Sequence, residues 1–233
     1  KSMLEQVNDY RKREEDYRNY IEMWVHEIKT PLAAVKLMMS NHENELTQSL
    51  SEEVEKVEDF VEQALFYARS TTLEKDYLIK EMPLEPTVNK VIRKHSKQFI
   101  YRRIKLEREG LEEVVYSDAK WLEFILNQII SNALKYSEDE GLIRIATTKH
   151  KESVILMIED HGMGISLSDL PRIFDKGFTG KNGRKNEKAT GMGLYLCKLL
   201  CDKLYLDLKA TSLEGAGTTI SITFPISTMM LLK

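Results

Sequence analysis

The stretch "DAKWLEFILNQIISNALKYS" (residues 118–137) predicts a long amphipathic helix in the second half of the chain. Asp118 is a good N-cap residue, because its carboxylate can accept hydrogen bonds from the first free backbone amides of a helix. An amide side chain on such a helix can ligate Mg²⁺, and a lysine can meet a phosphate. An ordinary polar helix face carries the same residue types, so this pattern alone leaves both interpretations open. The residues concerned are Asn127, Gln128, Asn132 and Lys135.

The segments on both sides of this helix alternate between apolar and polar residues, as β-strands do. Two such segments, "RIKLERE" and "EVVYS", precede the helix, and a hairpin pair, "GLIRIATTKH" and "SVILMIED", follows it. A further helix, "GLYLCKLLCDKL", is followed by two last strands, residues 205–212 and 218–224. Strands with helices on one face indicate an α/β two-layer sandwich.

Three glycine-rich turns separate these elements. In "EDHGMGI" (159–165) an aspartate that could accept a hydrogen bond from an adenine amino group is followed by glycines, which let the backbone approach a ligand closely. In "ATGMGLYL" (189–196) glycines precede a helix, whose N-terminus can bind phosphate. The third, "LEGAGTTI" (213–220), is a glycine turn between strands. Each pattern by itself is also typical of an ordinary turn, and none is a G-x-x-x-x-G-K-[ST] P-loop, which excludes that class of ATP site.

Residues 1–75 contain no glycine and a single proline, Pro31, and are predicted to be helical. Apolar residues in this part recur at coiled-coil spacing and form one stripe on each of two helices. The segment "NHENELTQS" (41–49) interrupts the pattern and predicts a hairpin turn. The stripes consist of Ile21, Val25, Ile28, Leu32, Val35 and Met39 in the first helix and Leu50, Val54, Val57, Val61, Ala64 and Ala68 in the second.

Two helices cannot enclose a core, whereas a second copy of the hairpin would make four. We therefore predict a homodimeric four-helix bundle. His26 follows the stripe residue Val25 and should face solvent, with Glu27 beside it and Thr30 one turn further along. Because Pro31 removes the hydrogen bond to the carbonyl of Glu27, we hypothesise that it lets the helix bend next to His26. A tolerated proline without a role is the alternative.

The composition restricts the partners of the chain. Lysine and arginine number 34 and aspartate and glutamate 37, and the resulting net charge of −3 argues against a nucleic-acid partner. The longest apolar runs fall short of the roughly 20 residues that a membrane-spanning helix needs. The chain begins at Lys1 inside a charged segment, so we expect it to be part of a longer protein. Cys197 and Cys201 alone cannot make a zinc site and are interpreted as small buried hydrophobes.

The order of these motifs resembles the sensor histidine kinases of bacterial two-component systems. "HEIKTPL" looks like their H box, "NQIISNALKYS" like the N box and "DHGMGI" like the G1 box. "IFDKGF", "TGMGLYL" and "GAGTT" look like the F box, the G2 box and the late glycine turn. The resemblance covers nearly the whole chain. "WVHEIKTPL" is also similar to the branch with short sensor regions, often found beside antimicrobial-peptide transporters.

The resemblance implies an α+β chain with a HisKA-type dimerisation and phosphotransfer domain at residues 1–75. A linker at 76–83, in a stretch ("DYLIKEMPLEP") that by itself is typical of a linker or an edge strand, would lead to a HATPase_c catalytic domain of the GHKL (Bergerat) type at 84–233. It implies autophosphorylation with ATP and Mg²⁺, transfer to an aspartate on the receiver domain of a response regulator, and phosphatase activity toward that regulator. It further implies a homodimer, and a full-length protein anchored in the cell membrane by a missing N-terminal segment, with this chain in the cytoplasm and a transporter as a further partner.

The resemblance also assigns roles to individual residues. His26 matches the phosphoacceptor, Glu27 the neighbouring acid-base group, and Thr30 the position that aligns water for dephosphorylation of the regulator. Asn132 matches the Mg²⁺ ligand and Asp160 the adenine-binding aspartate. The other positions of the implied nucleotide site are Lys135, Tyr136, Gly162, Gly164, Lys176, Gly191, Gly193, Leu194 and Thr218.

Two positions depart from the family pattern. Gln128 stands where many members have a first asparagine, and its longer amide would be a second Mg²⁺ ligand, directly or through water. Ala189 stands where an extra glycine is common, which would stiffen the lid over the nucleotide. Two alternatives remain on the sequence alone. One is a chaperone- or topoisomerase-type ATPase, in which ATP drives clamping without protein phosphorylation, and the other is an inactive dimeric scaffold.

Overall fold

The computed structural model describes residues 3–41, 45–71, 77–180 and 190–226. The chain divides into two compact units, Lys1–Asp76 and Tyr77–Lys233. None of the helices within the described ranges combines the length and the apolar character needed to cross a membrane.

The first unit is a hairpin of two helices, α1 (Met3–Ser40) and α2 (Glu45–Thr71). Ion pairs at 2.6 Å between Lys36 and Glu58 and at 2.8 Å between Arg69 and Glu22 show that the helices run antiparallel. The hairpin turn is shorter than the predicted 41–49, since residues 45–49 already belong to α2. Those residues include neither glycine nor proline, so nothing in them interrupts the helix.

The apolar stripes of this hairpin are only partly covered. Val25, Val61 and Leu65 form a small buried cluster, against which Ile21 and Ile28 pack. Val57, although it belongs to the predicted stripe, keeps 42% of its surface exposed. One hairpin therefore leaves much of its apolar surface in contact with solvent, including that of Trp24, Val35, Leu50 and Phe60.

Helix α1 continues through Pro31. Proline has no N–H, so the carbonyl of Glu27 loses its usual partner four residues along. The hydroxyl of Thr30 does not replace that bond, since it donates to the preceding carbonyl, that of His26, at 3.3 Å. Hydrogen bonds of this kind from threonine bend helices slightly.

The second unit begins with a small two-stranded sheet. Strand β1 (Lys80–Pro83) pairs antiparallel with β3 (Val114–Ser117), so the second half of the segment 76–83, expected to be a linker, contributes a strand to this unit. Between them lie α3 (Leu84–Lys94), α4 (Ser96–Tyr101) and β2 (Lys105–Glu109). The sequence analysis did not resolve α3 and α4 as separate helices.

A five-stranded sheet forms the centre of the second unit. Its strand order is β2–β4–β5–β7–β6, with β2 and β4 parallel and the other pairs antiparallel. The bounds of the remaining strands are Leu142–Lys149 for β4, Ser153–Asp160 for β5, Asp207–Leu213 for β6 and Gly217–Pro225 for β7. The predicted hairpin pair and the two last strands are thus confirmed.

Two helices cover one face of this sheet. Helix α5 (Ala119–Tyr136) packs against β5 and against α6 (Gly193–Lys203), which itself contacts β6. Asp118 caps α5 as predicted, accepting hydrogen bonds from the amides of Lys120 at 2.9 Å and Trp121 at 3.0 Å. The second unit therefore has the predicted two-layer architecture.

The alternation of β5 decides where its last residue lies. Val154, Leu156, Ile158 and Asp160 are buried, and the residues between them are less covered. A strand points successive side chains to opposite faces, so an aspartate two residues beyond Ile158 must lie on the helix-covered face. Cys197 and Cys201 are buried in α6 as free thiols, and burial raises the pKa of Cys201 to about 12.

Candidate functional site

Asp160 is the buried carboxylate at the end of β5, with 8% of its surface exposed. Burial raises its pKa, because the charged form loses hydration, while backbone hydrogen bonds from Gly162 and Thr218 and the charge of His161 act in the opposite direction. The amide of Gly162 donates to its Oδ1 at 3.0 Å. A poorly hydrated carboxylate with few donors of its own is a strong acceptor for a ligand's N–H group.

The turn after Asp160 is held against the end of α5. The amide of Met163 donates to the carbonyl of Tyr136 at 3.2 Å. A Cβ added at Gly162 would overlap that same carbonyl group. Gly162 is therefore required because no side chain fits between this turn and the helix.

The turn after Asp160 also contacts the turn between β6 and β7. The amide of Ile165 donates to the hydroxyl of Ser212 at 2.8 Å, and that hydroxyl donates in turn to the carbonyl of Gly217 at 2.7 Å. Gly164 has a φ of +65°, and a Cβ there would overlap the carbonyl of Leu213. Thr218 pairs with Asp160 across the strands, and its Oγ1 lies 2.9 Å from the Oγ of Ser212. The G1-like turn and the late glycine turn thus form one hydrogen-bonded unit.

The polar residues of α5 have different surroundings. Asn132 and Tyr136 are half-buried, and Lys135 is exposed, with its Nζ 5.2 Å from the centre of the Tyr136 ring. Although Lys135 is exposed, partial loss of hydration near the helix surface lowers its pKa, and burial raises the pKa of Tyr136. Asn127 is excluded from this surface, because its Oδ1 lies 2.8 Å from Nε2 of the buried His95.

Gln128 belongs to α5, and its side chain lies against the start of α6. Its Oε1 would be 2.7 Å from a Cβ added at Gly193, the first residue of that helix. A larger residue at Gly193 would therefore have to displace the amide of Gln128. Leu194, the next residue, is half-buried. The helix start, with its free amides, is thus placed next to the polar face of α5.

Two glycines, Gly177 at the end of the F box and Gly191 just before α6, are in contact. The amide of Gly177 donates to the carbonyl of Gly191 at 3.1 Å. Gly191 has a φ of +65°, and a Cβ there would overlap the backbone of Gly177 and Phe178. Lys176, next to this contact, is exposed. The predicted lid over the nucleotide spans residues 176–188, and its residues from 181 onward, with Ala189 after them, lie outside the described residues.

The first unit carries the other predicted group of residues. His26, Glu27 and Thr30 are exposed on α1, as the stripe predicted, and Val25 beside them is buried. The hydroxyl of Thr30 bonds to the carbonyl of His26 rather than to a side chain. A histidine next to a glutamate on an open helix face is accessible to a large reaction partner.

A divalent cation would find amide oxygens rather than a cluster of carboxylates. Within the described ranges no three histidine, cysteine, aspartate or glutamate side chains are grouped in a way that could hold a metal ion. Mg²⁺ commonly keeps several waters and takes one or two protein oxygens together with substrate phosphates. The amide oxygen of Asn132, with that of Gln128 four residues earlier on α5, fits this mode of binding.

Sequence reasoning missed Ser212, Met163 and the carbonyl of Tyr136. Ser212 and Ile165 are 47 residues apart in the chain, and their contact depends on the pairing of β6 with β7. The role of a backbone group such as the Tyr136 carbonyl cannot be predicted from the residue type, because every residue has the same carbonyl. Only the glycines opposite them, which must be small, signal that such contacts exist.

The chain is similar in sequence to known proteins. The family described as "Histidine kinase-, DNA gyrase B-, and HSP90-like ATPase" matches residues 117–228. The sensor protein BceS of Bacillus subtilis (strain 168) is 37% identical over 213 residues, which cover 91% of this chain and 64% of that protein. The sensor protein kinase GraS of Staphylococcus aureus (strain MRSA252) is 37% identical over 206 residues, covering 87% of this chain and 59% of that protein.

The fold also matches a solved structure. Full-length ShkA in complex with AMPPNP aligns with a TM-score of 0.66 at 18% identity, over 89% of this chain and 45% of that chain. At this identity the likeness concerns the fold alone. The chain spans less than two thirds of the curated relatives described above, 64% of BceS and 59% of GraS.

Proposed function

We propose that this chain, which belongs to the sensor histidine kinase family, phosphorylates its own His26 with ATP and passes the phosphoryl group to an aspartate of a response regulator. The observation that carries the proposal is the buried Asp160 carboxylate, held in place by glycine turns that pack directly against neighbouring backbone carbonyls. The exposed pair His26 and Glu27 on α1 supplies a phosphoacceptor that a clamping ATPase would not need.

The nucleotide would bind with its adenine amino group donating to Asp160. Gly162 and Gly164 shape this end of the site, and Thr218 supports Asp160 from the neighbouring strand. The phosphates would lie toward the start of α6, where the backbone amides of Gly191, Gly193 and Leu194 would donate to an anion. Lys135, Lys176 and the aromatic ring of Tyr136 would flank them. Because Lys135 is partly desolvated, its charge interacts more strongly with phosphate than a fully hydrated lysine would.

Mg²⁺ would be held by Asn132, with Gln128 as a second amide, and would neutralise charge on the phosphates. The Oε1 of Gln128 lies against the first residue of α6, so Gln128 would connect the phosphate-side helix to α5 as well. This contact supports a role for Gln128 in the site, although the residue differs from the asparagine common at this position.

The transfer step would be an in-line displacement at the γ-phosphorus. The neutral imidazole of His26 supplies the electron pair for the new N–P bond, and the bond to the β–γ bridging oxygen breaks to release ADP. The ring N–H of the resulting phosphoimidazolium gives its proton to Glu27, the adjacent base. Positioning and charge neutralisation account for most of the catalysis in such reactions.

A second copy of the chain would complete the first unit. The stripe residues Val35, Leu50 and Val57 remain exposed in a single hairpin, and burying them against another hairpin would make the four-helix bundle. The receiver domain of a response regulator would dock on the same bundle, near His26. Membrane anchoring of the full-length protein and a transporter partner remain predictions from the family resemblance.

The main alternative is an ATPase that clamps without phosphorylating protein. Incubation with γ-labelled ATP separates the two, since only the kinase retains label on protein. We expect label in the wild type and in His150→Gln, a control at an exposed turn histidine, and none in His26→Gln. The label should be acid-labile and base-stable. Label at the wild-type level in His26→Gln would overturn the assignment of His26.

A further inference from the structure

We propose that Arg102 is a positioning residue for the nucleotide, acting through the C-terminal end of α5. This inference rests on the proposed function, because it concerns the same site. Arg102 follows α4, and the hydrogen bonds that its side chain makes within the described part of the chain go to Leu134, Ser137 and Asp139, which are not assigned to the nucleotide. It was not singled out by any sequence motif.

The guanidinium of Arg102 binds three groups around the end of α5. It donates to the carbonyl of Leu134, to the carbonyl of Ser137 at 2.7 Å, and through Nε to Asp139 at 2.6 Å. Only 25% of its side chain is exposed. A cation at this position also interacts favourably with the negative end of the helix dipole.

Most of the carbonyls at the C-terminal end of α5 have an identified hydrogen-bond donor. The carbonyl of Ala133 is taken by the amide and hydroxyl of Ser137, at 3.0 and 2.7 Å. Arg102 takes the carbonyls of Leu134 and Ser137. The carbonyl of Tyr136, which lies between those two in the chain, receives the amide of Met163 from the turn after Asp160. Arg102 thus fixes the helix end on which the adenine-side turn rests.

The backbone around Arg102 strengthens this connection. The amide of Glu140 donates to the carbonyl of Arg102, and the amide of Lys105 donates to the carbonyl of Gly141, both at 2.8 Å. The corner between α4 and β2 is therefore tied to the loop after α5 at several points. A lysine at position 102 would retain the charge but could not reach two carbonyls in the same fork geometry.

Arg103 provides a matched control. It is the next residue, carries the same charge, and pairs with Glu140 at 2.9 Å. However, 78% of its side chain is exposed, and its side chain has no described bond to α5. Replacing Arg103 should therefore remove a nearby positive charge while the hydrogen bonds of Arg102 to the end of α5 stay in place.

The experiment measures binding of ATP and GTP to the whole chain by calorimetry, in Arg102→Met, Arg102→Lys and Arg103→Met. Guanine has a carbonyl in place of the 6-amino group of adenine, from which Asp160 would accept a hydrogen bond. The ratio of the ATP and GTP affinities therefore measures the contribution of the turn that holds Asp160. We expect Arg102→Met to weaken ATP binding roughly tenfold while changing GTP binding little, on the scale of one charged hydrogen bond. Arg102→Lys should be intermediate, and Arg103→Met should resemble the wild type.

A double-mutant cycle completes the test. If Arg102 acts through the adenine-side turn, its replacement should weaken ATP binding much less in an Asp160→Asn background, because the interaction it supports is already lost. A purely structural role would lower ATP and GTP binding equally and would be additive with Asp160→Asn. Either result, or equal effects of Arg102→Met and Arg103→Met, overturns the inference. If Arg102→Met does not fold, the ATP and GTP affinities and the cycle with Asp160→Asn are measured on Arg102→Lys. A wild type that binds no ATP would instead refute the proposed function.

Discussion

The carboxylate of Asp160 accepts the backbone N–H of Gly162 at 3.0 Å, two residues further along the chain. The same glycine is pressed against the carbonyl of Tyr136, so the turn that supports the carboxylate also rests on α5. Helix α5 and strands β5, β6 and β7 meet at this point. The position of one side chain therefore depends on elements that are far apart in sequence.

Asp160→Asn should weaken ATP binding. The amide keeps the shape of the side chain but replaces a charged acceptor by a neutral one, and hydrogen bonds to charged groups contribute about 1.5–3 kcal/mol. Calorimetry with the second unit or the whole chain measures the change. Asp207→Asn, at an exposed position on β6 paired with Lys209, is the control and should bind ATP normally. Unchanged affinity in Asp160→Asn would refute the role of this residue.

The affinity for ATP should fall on acidification at a higher pH than an exposed aspartate would give. Burial raises the pKa of Asp160, and the protonated carboxyl is a poorer acceptor for the adenine amino group. The free energy of unfolding of the nucleotide-free protein should depend on pH in the opposite direction. Because the folded state binds this proton more tightly than the unfolded state, the contribution of Asp160 becomes more favourable as the pH falls through its raised pKa.

His161→Ala tests the charge beside this carboxylate. The positive charge of a protonated His161 lowers the pKa of Asp160, so its removal should let Asp160 take up a proton at a higher pH. The acid limb of the ATP-affinity profile should then move to higher pH in His161→Ala, with little change at pH 8. Calorimetric titrations from pH 5 to 8 measure the shift. A profile that superimposes on the wild type would contradict this electrostatic coupling.

Much of this site could be predicted because the relevant signals are local. Asp118 is a cap in the sequence and in the structure, and the alternation of β5 is sufficient to place Asp160 on the covered face. The end of the hairpin turn was predicted wrongly, since polar residues without glycine or proline continue a helix as readily as they form a loop. The contact between Arg102 and Leu134 was not predictable, because it joins residues 32 apart through tertiary packing.

Val57→Glu should dissociate the proposed dimer. In one hairpin Val57 is 42% exposed, so a charge there would cost a monomer little. In a four-helix bundle the same charge would be buried without a partner, which is strongly unfavourable. Analytical ultracentrifugation should show a dimeric wild type and a largely monomeric variant at micromolar concentration. Leu37→Glu, off the stripe and more exposed, is the control and should remain dimeric. A monomeric wild type would refute the dimer.

Thr30→Ala should separate two activities of the proposed kinase. Thr30 lies one turn from His26 and carries no charge, so its loss should affect the attack of His26 on ATP little. A hydroxyl at that position could hold the water that hydrolyses a phosphoaspartate docked on the bundle, although it now donates to the carbonyl of His26. We therefore expect autophosphorylation close to the wild-type rate and phosphatase activity reduced roughly a hundredfold, as for loss of a group that orients a reactant.

A structural role for Thr30 makes a different prediction. If its hydroxyl only adds a bond to the carbonyl of His26 and so shapes the helix next to Pro31, both rates should change together or neither should change. Thr30→Ser, which retains the hydroxyl, should keep the phosphatase activity, and Thr30→Val, which retains the shape, should lose it. The two rates are measured on each variant with labelled chain and labelled regulator. Equal loss of both activities in Thr30→Val would count against the role in dephosphorylation.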